Sequence, residues 1–300
     1  MLEAEGLGEL LDERKHLMNL AFRMLGSWND AEDVVQQTYV RWFQLTDDER
    51  DAIERPRAWL TTVASRICLN ILDSARVRRE RYVGEWLPEP LPTRSTAAPT
   101  GSTPAADPLD RITLDDSVSM ALLVVLESLT PAERVAFVLH EVFGVPFAEI
   151  ADIVGRSPEA TRQLASSARR HIRDLRARPT DASEHARVVT AFRLACESGD
   201  LGALVAVLDP DVTSVSDGGG KVRAALRPVV GADNVARFIL GVMRKGPDLT
   251  IDEELVNGEP GFVVRAGDQV VGTVSLGVAD GRIHDIWMVL NPDKLAAWNR

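Results

Sequence analysis

A proline-rich segment near the middle of the chain rules out one continuous core for all 300 residues. Six of the 16 prolines lie between Leu87 and Pro108, and Ser, Thr, Ala and Gly fill most of the positions between them. Such a composition is typical of an extended, mobile linker, because proline removes backbone donors and small polar residues bury little surface. The sequence therefore predicts separate domains on either side of a linker at residues 86–113.

The block before the linker, residues 1–85, has the periodicity of α-helices. Apolar residues recur at helical spacing from Leu10 to Leu25, and Asn29 or Asp30 can cap a second helix. The apolar positions of that second helix are Val34, Val35, Val40 and Phe43. A third helix is predicted from Arg57 to Arg79, and its apolar stripe consists of Leu60, Val63, Ala64, Ile67 and Ile71.

Residues 114–178 are predicted to form a second small helical domain with a helix-turn-helix. A short amphipathic helix from Phe147 would end at Gly155, and Ser157 would cap a second helix with Pro158 at its first position. The buried side of this second helix is predicted to be Ala160 or Thr161, Leu164 and Ala168. The residues on its outer side would face a DNA groove and the phosphates beside it. They are Ser157, Glu159, Arg162, Gln163, Ser166, Arg169 and Arg170. A plain helical hairpin is the alternative interpretation.

Residues 182–300 differ in kind and predict an α+β domain. Helices at 186–197 and 201–208 precede the β-branched segments FVVRA, QVVGTVSLGVA and RIHDIWMVL, which Gly-Asp and Asp-Gly turn signals separate. We expect a meander of antiparallel strands that forms a curved sheet wrapped on helices. The fold class is therefore multidomain, with two all-α domains followed by an α+β domain.

The charge distribution points to local contact with nucleic acid. The net charge of −11 excludes a protein that coats nucleic acid nonspecifically. Residues 55–81 nevertheless hold seven arginines against two acidic residues, and residues 155–178 repeat those numbers. Two basic islands in an acidic chain are typical of DNA contact, and two solvated helix faces are the alternative.

The order of motifs resembles the bacterial sigma factors of the extracytoplasmic-function class. The matching segments are DAEDVVQQTYVRW (from Asp30), RPRAWLTTVASRICLN (from Arg55) and LTPAERVAFVLHEVFGVPFAEIADIVGRSPEATRQLASSARR (from Leu129). The resemblance covers about residues 7–178 and implies a σ2 domain at residues 1–85 and a σ4 domain at residues 114–178. It implies core RNA polymerase and promoter DNA as partners.

The resemblance also implies roles for particular residues. In σ2, the side of the second helix formed by Asp33, Gln36, Gln37 and Arg41 would dock on the clamp helices of the polymerase. The third helix and the loop before it, residues 47–56, would hold single-stranded bases of the −10 promoter element. The residues expected to contact that element or its phosphates are Arg57, Trp59, Thr62, Arg66, Asn70, Arg76, Arg78 and Arg79. The σ4 helix-turn-helix would read the −35 element as duplex.

The remainder, residues 182–300, resembles a SnoaL-like domain of the NTF2-like superfamily, which a subgroup of these sigma factors carries. Three short motifs match that subgroup: WLPEP (Trp86, Leu87, Pro88, Glu89, Pro90), DGGGK (Asp217, Gly218, Gly219, Gly220, Lys221) and NPDKL (Asn291, Pro292, Asp293, Lys294, Leu295). DGGGK lacks the opening glycine and the final hydroxyl residue of a phosphate-binding P-loop. Turn-forming and charged residues suit a surface, so we expect DGGGK and NPDKL to be exposed motifs that regulate in cis through the start of the linker.

An enzyme or a small-ligand sensor is the alternative for the C-terminal domain. NTF2-like folds also include cyclases and isomerases with a carboxylate base in a cavity, and Asp217, His284 and Asp285 are the available polar candidates. Both tyrosines, Tyr39 and Tyr82, lie in the sigma portion, so the domain is expected to lack a phenol donor. We expect no catalytic activity.

Other partners are not expected. Two distant cysteines and the lack of a Cys/His cluster argue against a disulfide scaffold, a metal and a cofactor. The longest apolar run, Met120 to Leu126, is too short for a bilayer, and the acidic N-terminus lacks the apolar core of a signal peptide. The expected location is the cytoplasm, and no anti-sigma factor is implied.

Overall fold

The structure is a computed structural model that describes residues 2–79, 82–93, 118–175, 181–244 and 249–299. These residues form two compact units. The first lies within Met1–Glu80 and Val125–Leu175, and the second lies within Arg81–Val124 and Arg176–Arg300. None of the described helices has the length and apolar character needed to cross a membrane.

The N-terminal part of the first unit contains α1 (Leu2–Leu25), α2 (Trp28–Gln44), α3 (Asp47–Asp51) and α4 (Pro56–Arg79). The predicted cap of α2 was wrong, because Ser27 is the N-cap and its hydroxyl accepts a hydrogen bond from the Asp30 amide at 3.3 Å. Gly26 is the reason: its φ of 66° ends α1 early enough to place Ser27 at the start of α2. Within the predicted loop, Thr46 and Glu49 form a capping box that starts α3.

Helix α4 packs against α1 and α2 through the stripe that the sequence predicted, with one shift. Leu60, Val63, Ala64 and Ile67 are buried. Ile71 is only half-buried, and Cys68 and Leu72 take the buried positions of the later turns.

The rest of the first unit is a compact helical array. The chain enters this array within α5 (Met120–Glu127), whose residues up to Val124 belong to the second unit, and α6 (Pro131–Phe137) follows and continues into a π-helical turn (Val138–Val142). Helix α7 (Phe147–Val154) ends at Gly155, whose φ is 66°, and α8 (Pro158–Leu175) follows. This is the predicted helix-turn-helix, with Gly155 in the left-handed conformation that lets the chain reverse.

The second unit is an α+β domain. Helices α9 (Ala182–Ser198) and α10 (Leu201–Val207) lead into β1 (Leu208–Asp217) and β2 (Val229–Val230), and α11 (Ala232–Met243) follows. The last four strands are β3 (Leu249–Val256), β4 (Glu259–Ala266), β5 (Gln269–Ala279) and β6 (Arg282–Val289). The three predicted strands form β4, β5 and β6, whereas β1, β3 and α11 had not been predicted. The predicted fold class is confirmed.

The sheet has the strand order β2-β1-β6-β5-β4-β3. The predicted antiparallel meander is present as β4, β5 and β6, but the whole sheet is mixed, because β1, which had not been predicted, runs parallel to β6, with Asp217 opposite Val289. A parallel pair needs a long crossover, and α11 with β3–β5 supplies it. Since parallel strands end at the same edge, this pairing brings the residues after Asp217 close to the residues after Val289.

The two faces of the sheet have different partners. One face packs on α9, α10 and α11 around Phe192, Leu204 and Ile286. On the other face a second apolar cluster combines strand residues with linker-side residues and the C-terminal segment. Its buried members are Leu87, Met120, Val256, Val263, Val270, Trp287, Val289 and Leu295. Leu87 at the start of the linker and Met120 of α5 therefore both lie on this face.

Candidate nucleic-acid interface and linker anchor

A shallow groove on α2 brings together the residues predicted for polymerase docking. Asp33, Gln36, Gln37 and Arg41 line it with Val40 and Gln44. Val40 and Phe43, two of the apolar positions noted in this helix, are 54% and 62% exposed. The buried stripe of α2 runs through Ala31, Val35 and Thr38, and Val40 and Phe43 lie off it. The surface therefore combines acidic, amide and large apolar groups, which suits a protein partner.

The predicted base-contacting side of α4 is only partly free. Arg66 and Asn70 are exposed, and Thr62 is half-buried. Trp59 is also half-buried, and its ring packs edge-on against Trp42 with centroids 5.3 Å apart. Helix packing thus holds the Trp59 ring. The side chains of Arg76, Arg78 and Arg79 lie outside the part of the chain whose side chains the structure describes.

Two arginines of this region contact α7 within the first unit. Arg66 donates from Nη2 to the Asp152 carbonyl at 3.3 Å. Arg55, just before α4, forms an ion pair with Glu149 at 3.1 Å. Arg66, one of the predicted base-contacting residues, is therefore in contact with α7.

Arg57 lies in a small network with α1. Its Nη2 donates to His16 Nδ1 at 3.1 Å, so His16 must carry its proton on Nε2 and donate it to the Thr61 hydroxyl at 3.0 Å. Its Nε lies 3.6 Å from a Glu13 carboxylate oxygen. Burial, and then the charge of Arg57, lower the pKa of His16 to about 4.

This network predicts acid sensitivity of the first unit. In the unfolded chain His16 regains its ordinary pKa of 6.5, so between about pH 6.5 and 4 the unfolded state binds a proton that the folded state does not. Stability should be fully present above pH 6.5 and fall toward pH 4. His16→Gln should flatten the pH dependence of the urea midpoint in that interval, and NMR titration should place the His16 transition near pH 4. If His16→Gln leaves the slope of the urea midpoint against pH unchanged, groups other than His16 cause the loss of stability at low pH.

The recognition-type helix α8 presents most of its predicted outer residues. Ser157, Glu159, Arg162, Gln163, Arg169 and Arg170 are exposed, whereas Ser166 is half-buried. The inward side is Thr161, Ala165, Ala168 and Ile172. Leu164 had been predicted inside but is half-buried, because Ala165 takes the inward position of that turn.

Several outer side chains of α8 are held by neighbouring elements. Arg169 forms an ion pair with Glu141 of the π-helical turn. The Ser167 hydroxyl donates to Glu133 at 2.7 Å. The guanidinium of Arg162 lies 5.4 Å from the ring centroid of Phe147. The helix thus presents a surface whose polar groups are partly ordered before any ligand binds.

The second unit contains an anchor for the start of the linker, which we call the Asp217 cluster: Tyr82, Leu87, Asp217, Asn291 and Lys294. The Asp217 side chain is completely buried. One carboxylate oxygen accepts from the Tyr82 hydroxyl at 2.6 Å and the Gly219 amide at 3.0 Å. The other accepts from the Leu87 amide at 2.9 Å and Lys294 Nζ at 2.6 Å. Every acceptor direction of this buried charge is used.

Lys294 connects the same cluster to the linker backbone. Its Nζ also donates to the Leu87 carbonyl and lies 4.0 Å from the ring centroid of Trp86. Asn291 donates from Nδ2 to the Tyr82 hydroxyl at 2.9 Å. Burial and the Asp217 carboxylate raise the pKa of Tyr82, so its hydroxyl remains a donor. WLPEP, DGGGK and NPDKL therefore meet at one point.

The glycines of DGGGK are explained by close approach. A Cβ atom on Gly219 would lie 2.4 Å from the Asn291 side chain, and one on Gly218 would lie 2.6 Å from the Val222 carbonyl. Gly219 and Gly220 have φ of 61° and 69°, which other residues adopt rarely. A larger residue at Gly219 would therefore push NPDKL away, and one at Gly218 would distort the DGGGK turn itself.

The linker continues across the sheet edge beyond this cluster. The Leu91 backbone forms two hydrogen bonds with Asn257: its amide donates to the side-chain Oδ1, and its carbonyl accepts from the Asn257 amide. Trp298 donates from its ring to the Pro90 carbonyl at 2.8 Å. In WLPEP, Leu87, Pro88, Glu89 and Pro90 are buried. Residues 82–93 are thus fixed along the domain.

Two expectations about these motifs were wrong. DGGGK and NPDKL had been predicted as surface motifs, but Asp217, Gly218, Asn291 and Leu295 are buried, and the exposed members include Lys221, Pro292 and Asp293. The domain had also been expected to lack a phenol donor, yet Tyr82 supplies one from the linker side. Sequence reasoning missed Tyr82, Asn257 and Trp298. Two features of the sequence could have pointed to them: Tyr82 lies four residues before WLPEP, and Trp298 lies three residues after NPDKL.

The polar residues considered for catalysis have separate surroundings. Asp217 forms an ion pair with Lys294. In the pairing of β1 with β6, Thr213 lies opposite Asp285, and Asp217 is four residues further along β1, about 13 Å away. His284 lies 3.7 Å from Asp209. Burial raises the pKa of Asp285, which pairs across the strands with Thr213 and Gly277. Asp217 and Asp285 do not form one acid–base pair.

Comparison with known proteins gives concordant results. The Sigma-70 region 2 profile matches residues 11–80, and the Sigma-70 region 4 profile matches residues 119–172. The ECF RNA polymerase sigma factor SigJ of Mycobacterium tuberculosis is 43% identical over 94% of this chain and 90% of its own. SigG of the same species is 31% identical over 56% of this chain and 48% of its own. The crystal structure of SigJ covers 97% of this chain and 98% of its own, with a TM-score of 0.75 and 39% identity.

Proposed function

The chain belongs to the extracytoplasmic-function sigma factors of RNA polymerase, and we propose that its C-terminal domain regulates it in cis by anchoring the linker between σ2 and σ4. It is a transcription initiation factor that directs polymerase to promoters. Its relatives are sigma factors, which are not enzymes. The observation that carries the proposal is the Asp217 cluster, where the start of the linker is bound by a buried ion pair.

The groove on α2 is proposed as the docking site for core polymerase. Asp33, Gln36, Gln37 and Arg41 supply charge and amide groups, and the exposed Phe43 supplies an apolar anchor beside them. Large aromatic side chains that are exposed in the free protein often carry much of the energy of an interface. Phe43 extends the polymerase-binding set beyond the four polar residues.

Helix α4 is proposed to read the −10 element with Arg66 and Asn70 and to position its backbone with Arg57, Arg76, Arg78 and Arg79. Trp59 and Thr62 border this surface. Because Arg66 donates to the Asp152 carbonyl, reading requires this hydrogen bond to break. The free protein described here is therefore proposed to be a resting state.

Helix α8 is proposed to read the −35 element as duplex. Arg162 and Gln163 lie in its first turns, which enter the major groove in helix-turn-helix proteins. Ser157, Glu159, Ser166, Arg169 and Arg170 lie where backbone or base-edge contacts are made. Because isolated σ4 contacts are few, tethering to polymerase would supply the effective concentration.

Transcription with separated promoter elements tests these assignments. Core polymerase is combined with the full chain and a promoter library in which the −10 and −35 elements are randomised separately. Arg66→Ala and Asn70→Ala should relax base preference in the −10 element, and Arg162→Ala should relax it in the −35 element. Each base-edge contact is worth about 1–3 kcal/mol of discrimination.

Each variant is also tested at the other element as a control. The Arg66 and Asn70 variants should retain the base preference of the parent at the −35 element, and the Arg162 variant should retain it at the −10 element. A uniform loss across all sequences would make these residues phosphate contacts instead. If the parent gives no transcript from any library member, the proposed promoter contacts fail together.

A further inference from the structure

A three-layer stack of side chains lies beside the recognition helix of σ4. The rings of His140 and Phe147 stack with centroids 3.9 Å apart and an interplanar angle of 28°. On Phe147 lies the guanidinium of Arg162, 5.4 Å from the ring centroid. The three residues come from three successive elements: the π-helical turn, α7 and α8.

Each layer of the stack has an identifiable support. The His140 Nδ1 atom lies 3.2 Å from the Val145 carbonyl, which can only accept, so Nδ1 carries the proton and the ring orientation is fixed. The π-helical turn places His140 in register with Phe147, and such turns often occur at functional sites. Phe147 is the first residue of α7 and is half-buried.

Arg162 gains a defined orientation from this support. It is exposed and directly follows the buried Thr161, so without a partner its long side chain would sample many rotamers. A guanidinium held over an aromatic ring keeps its N–H edge free for hydrogen bonds while its plane is fixed. That geometry is required for a bidentate contact with a base edge.

We propose that Phe147, held by His140, is a positioning residue for Arg162 and thereby sets base preference at one position of the −35 element. This inference rests on the proposed role of Arg162 in reading that element. Phe147 touches no DNA in this proposal and acts only through the arginine. The stack thus restricts the Arg162 side chain to an orientation that can contact a base edge.

The test measures base preference at the −35 element with holoenzyme containing the full chain. Arg162→Ala should abolish preference at one position. Phe147→Leu keeps an apolar side chain but removes the aromatic ring, and it should reduce preference at the same position about 2- to 5-fold. In the Arg162→Ala background, Phe147→Leu should cause no further change. Phe147→Tyr keeps the ring and should retain the preference of the parent.

Phe143→Leu is the matched control. Phe143 is half-buried in the same region, but its ring lies beside Arg23 and His16 instead of α8. This variant should lower stability without altering base preference. If Phe147→Leu does not fold, His140→Gln, which removes the stacking ring and keeps a donor for the Val145 carbonyl, is measured in the same way.

The possible results separate this proposal from the one it rests on. If Arg162→Ala leaves the −35 preference intact, the assigned role of Arg162 fails, and the positioning role fails with it. If Arg162→Ala removes the preference but Phe147→Leu leaves it intact, or lowers all promoters equally, only the positioning role is refuted. A loss of preference with Phe143→Leu equal to that with Phe147→Leu would also refute it.

Discussion

Lys294→Met is expected to lower the free energy of unfolding of the second unit by about 3–5 kcal/mol. As long as the linker stays bound, the buried Asp217 carboxylate would have hydrogen bonds from Tyr82, Gly219 and Leu87 but no cation to neutralise it, which favours release of Tyr82 and Leu87 and entry of water. Because Lys294 also binds the Leu87 carbonyl, the start of the linker should detach. Urea unfolding measures the loss, and faster hydrogen exchange at the Leu87 and Leu91 amides reports the detachment.

Lys221→Met is the control for this variant. Lys221 and Asp293 belong to the same two motifs and form an ion pair at 2.6 Å, but their side chains are 54% and 62% exposed. Removing it should cost less than about 1 kcal/mol. Asp217→Asn combined with Lys294→Met should be less destabilising than Lys294→Met alone, since no unpaired buried charge remains. If Lys294→Met and Lys221→Met lower the free energy of unfolding equally, the buried ion pair contributes no more to stability than the exposed one.

Transcription connects this prediction to regulation in cis. If anchoring of the linker controls the sigma regions, Lys294→Met should change the amount of transcript per holoenzyme more than Lys221→Met does, because the exposed Lys221–Asp293 pair does not bind the linker. Cross-linking between residues near Trp86 and the C-terminal domain should fall in parallel. Unchanged output from a variant whose linker has detached would refute the regulatory role and leave the anchor as a structural feature.

Glu127→Ala is expected to destabilise the first unit by a similar amount, about 3–5 kcal/mol. Arg134 is 2% exposed, and its Nη1 atom donates to Glu127 at 2.7 Å and to the Met24 carbonyl at 2.8 Å. Burial lowers the pKa of Arg134 to about 9, so the guanidinium is still charged at neutral pH. Without Glu127 it would be a buried cation beside one carbonyl. Thermal unfolding followed by circular dichroism measures the effect.

Arg134→Met distinguishes the cost of leaving one partner of the Arg134–Glu127 ion pair unpaired from the cost of replacing the buried charge by an apolar side chain. Methionine removes the charge and fills much of the volume, so its cost should be clearly smaller than that of Glu127→Ala. Asp233→Ala, which removes the exposed pair between Asp233 and Arg237 on α11, should cost less than about 1 kcal/mol. If Arg134→Met proves the more damaging change, packing and not charge compensation dominates at this position.

Local signals explain why the helix-turn-helix could be predicted from sequence. Gly155, Ser157 and Pro158 fix the turn and the start of α8 through backbone conformation and capping, which depend on neighbours in the chain. The misplaced Leu164 shows the limit of this reasoning. Which of two adjacent residues faces inward depends on the element that packs there, and periodicity alone does not settle it.

The Asp217 cluster could not be derived from sequence for a physical reason. A charged residue beside three glycines is normally exposed, because burial of an unpaired charge is costly. Its partner Lys294 lies 77 residues away, and the parallel pairing of β1 with β6, which brings them together, had not been predicted. The contact of Arg66 with Asp152 is hidden in the same way, since it depends on how α7 packs on α4.

The long-range make-up of the Asp217 cluster sets an order of events during synthesis. Tyr82 leaves the ribosome 212 residues before Lys294. The σ4 domain ends at residue 178, so at typical rates of about 5–20 residues per second the sigma regions are complete roughly 6–23 s before the lysine exists. Throughout that interval the nascent chain has σ2 and σ4 but cannot close its linker anchor. A polymerase that captured the nascent chain before Lys294 emerged would therefore meet a sigma factor without its restraint.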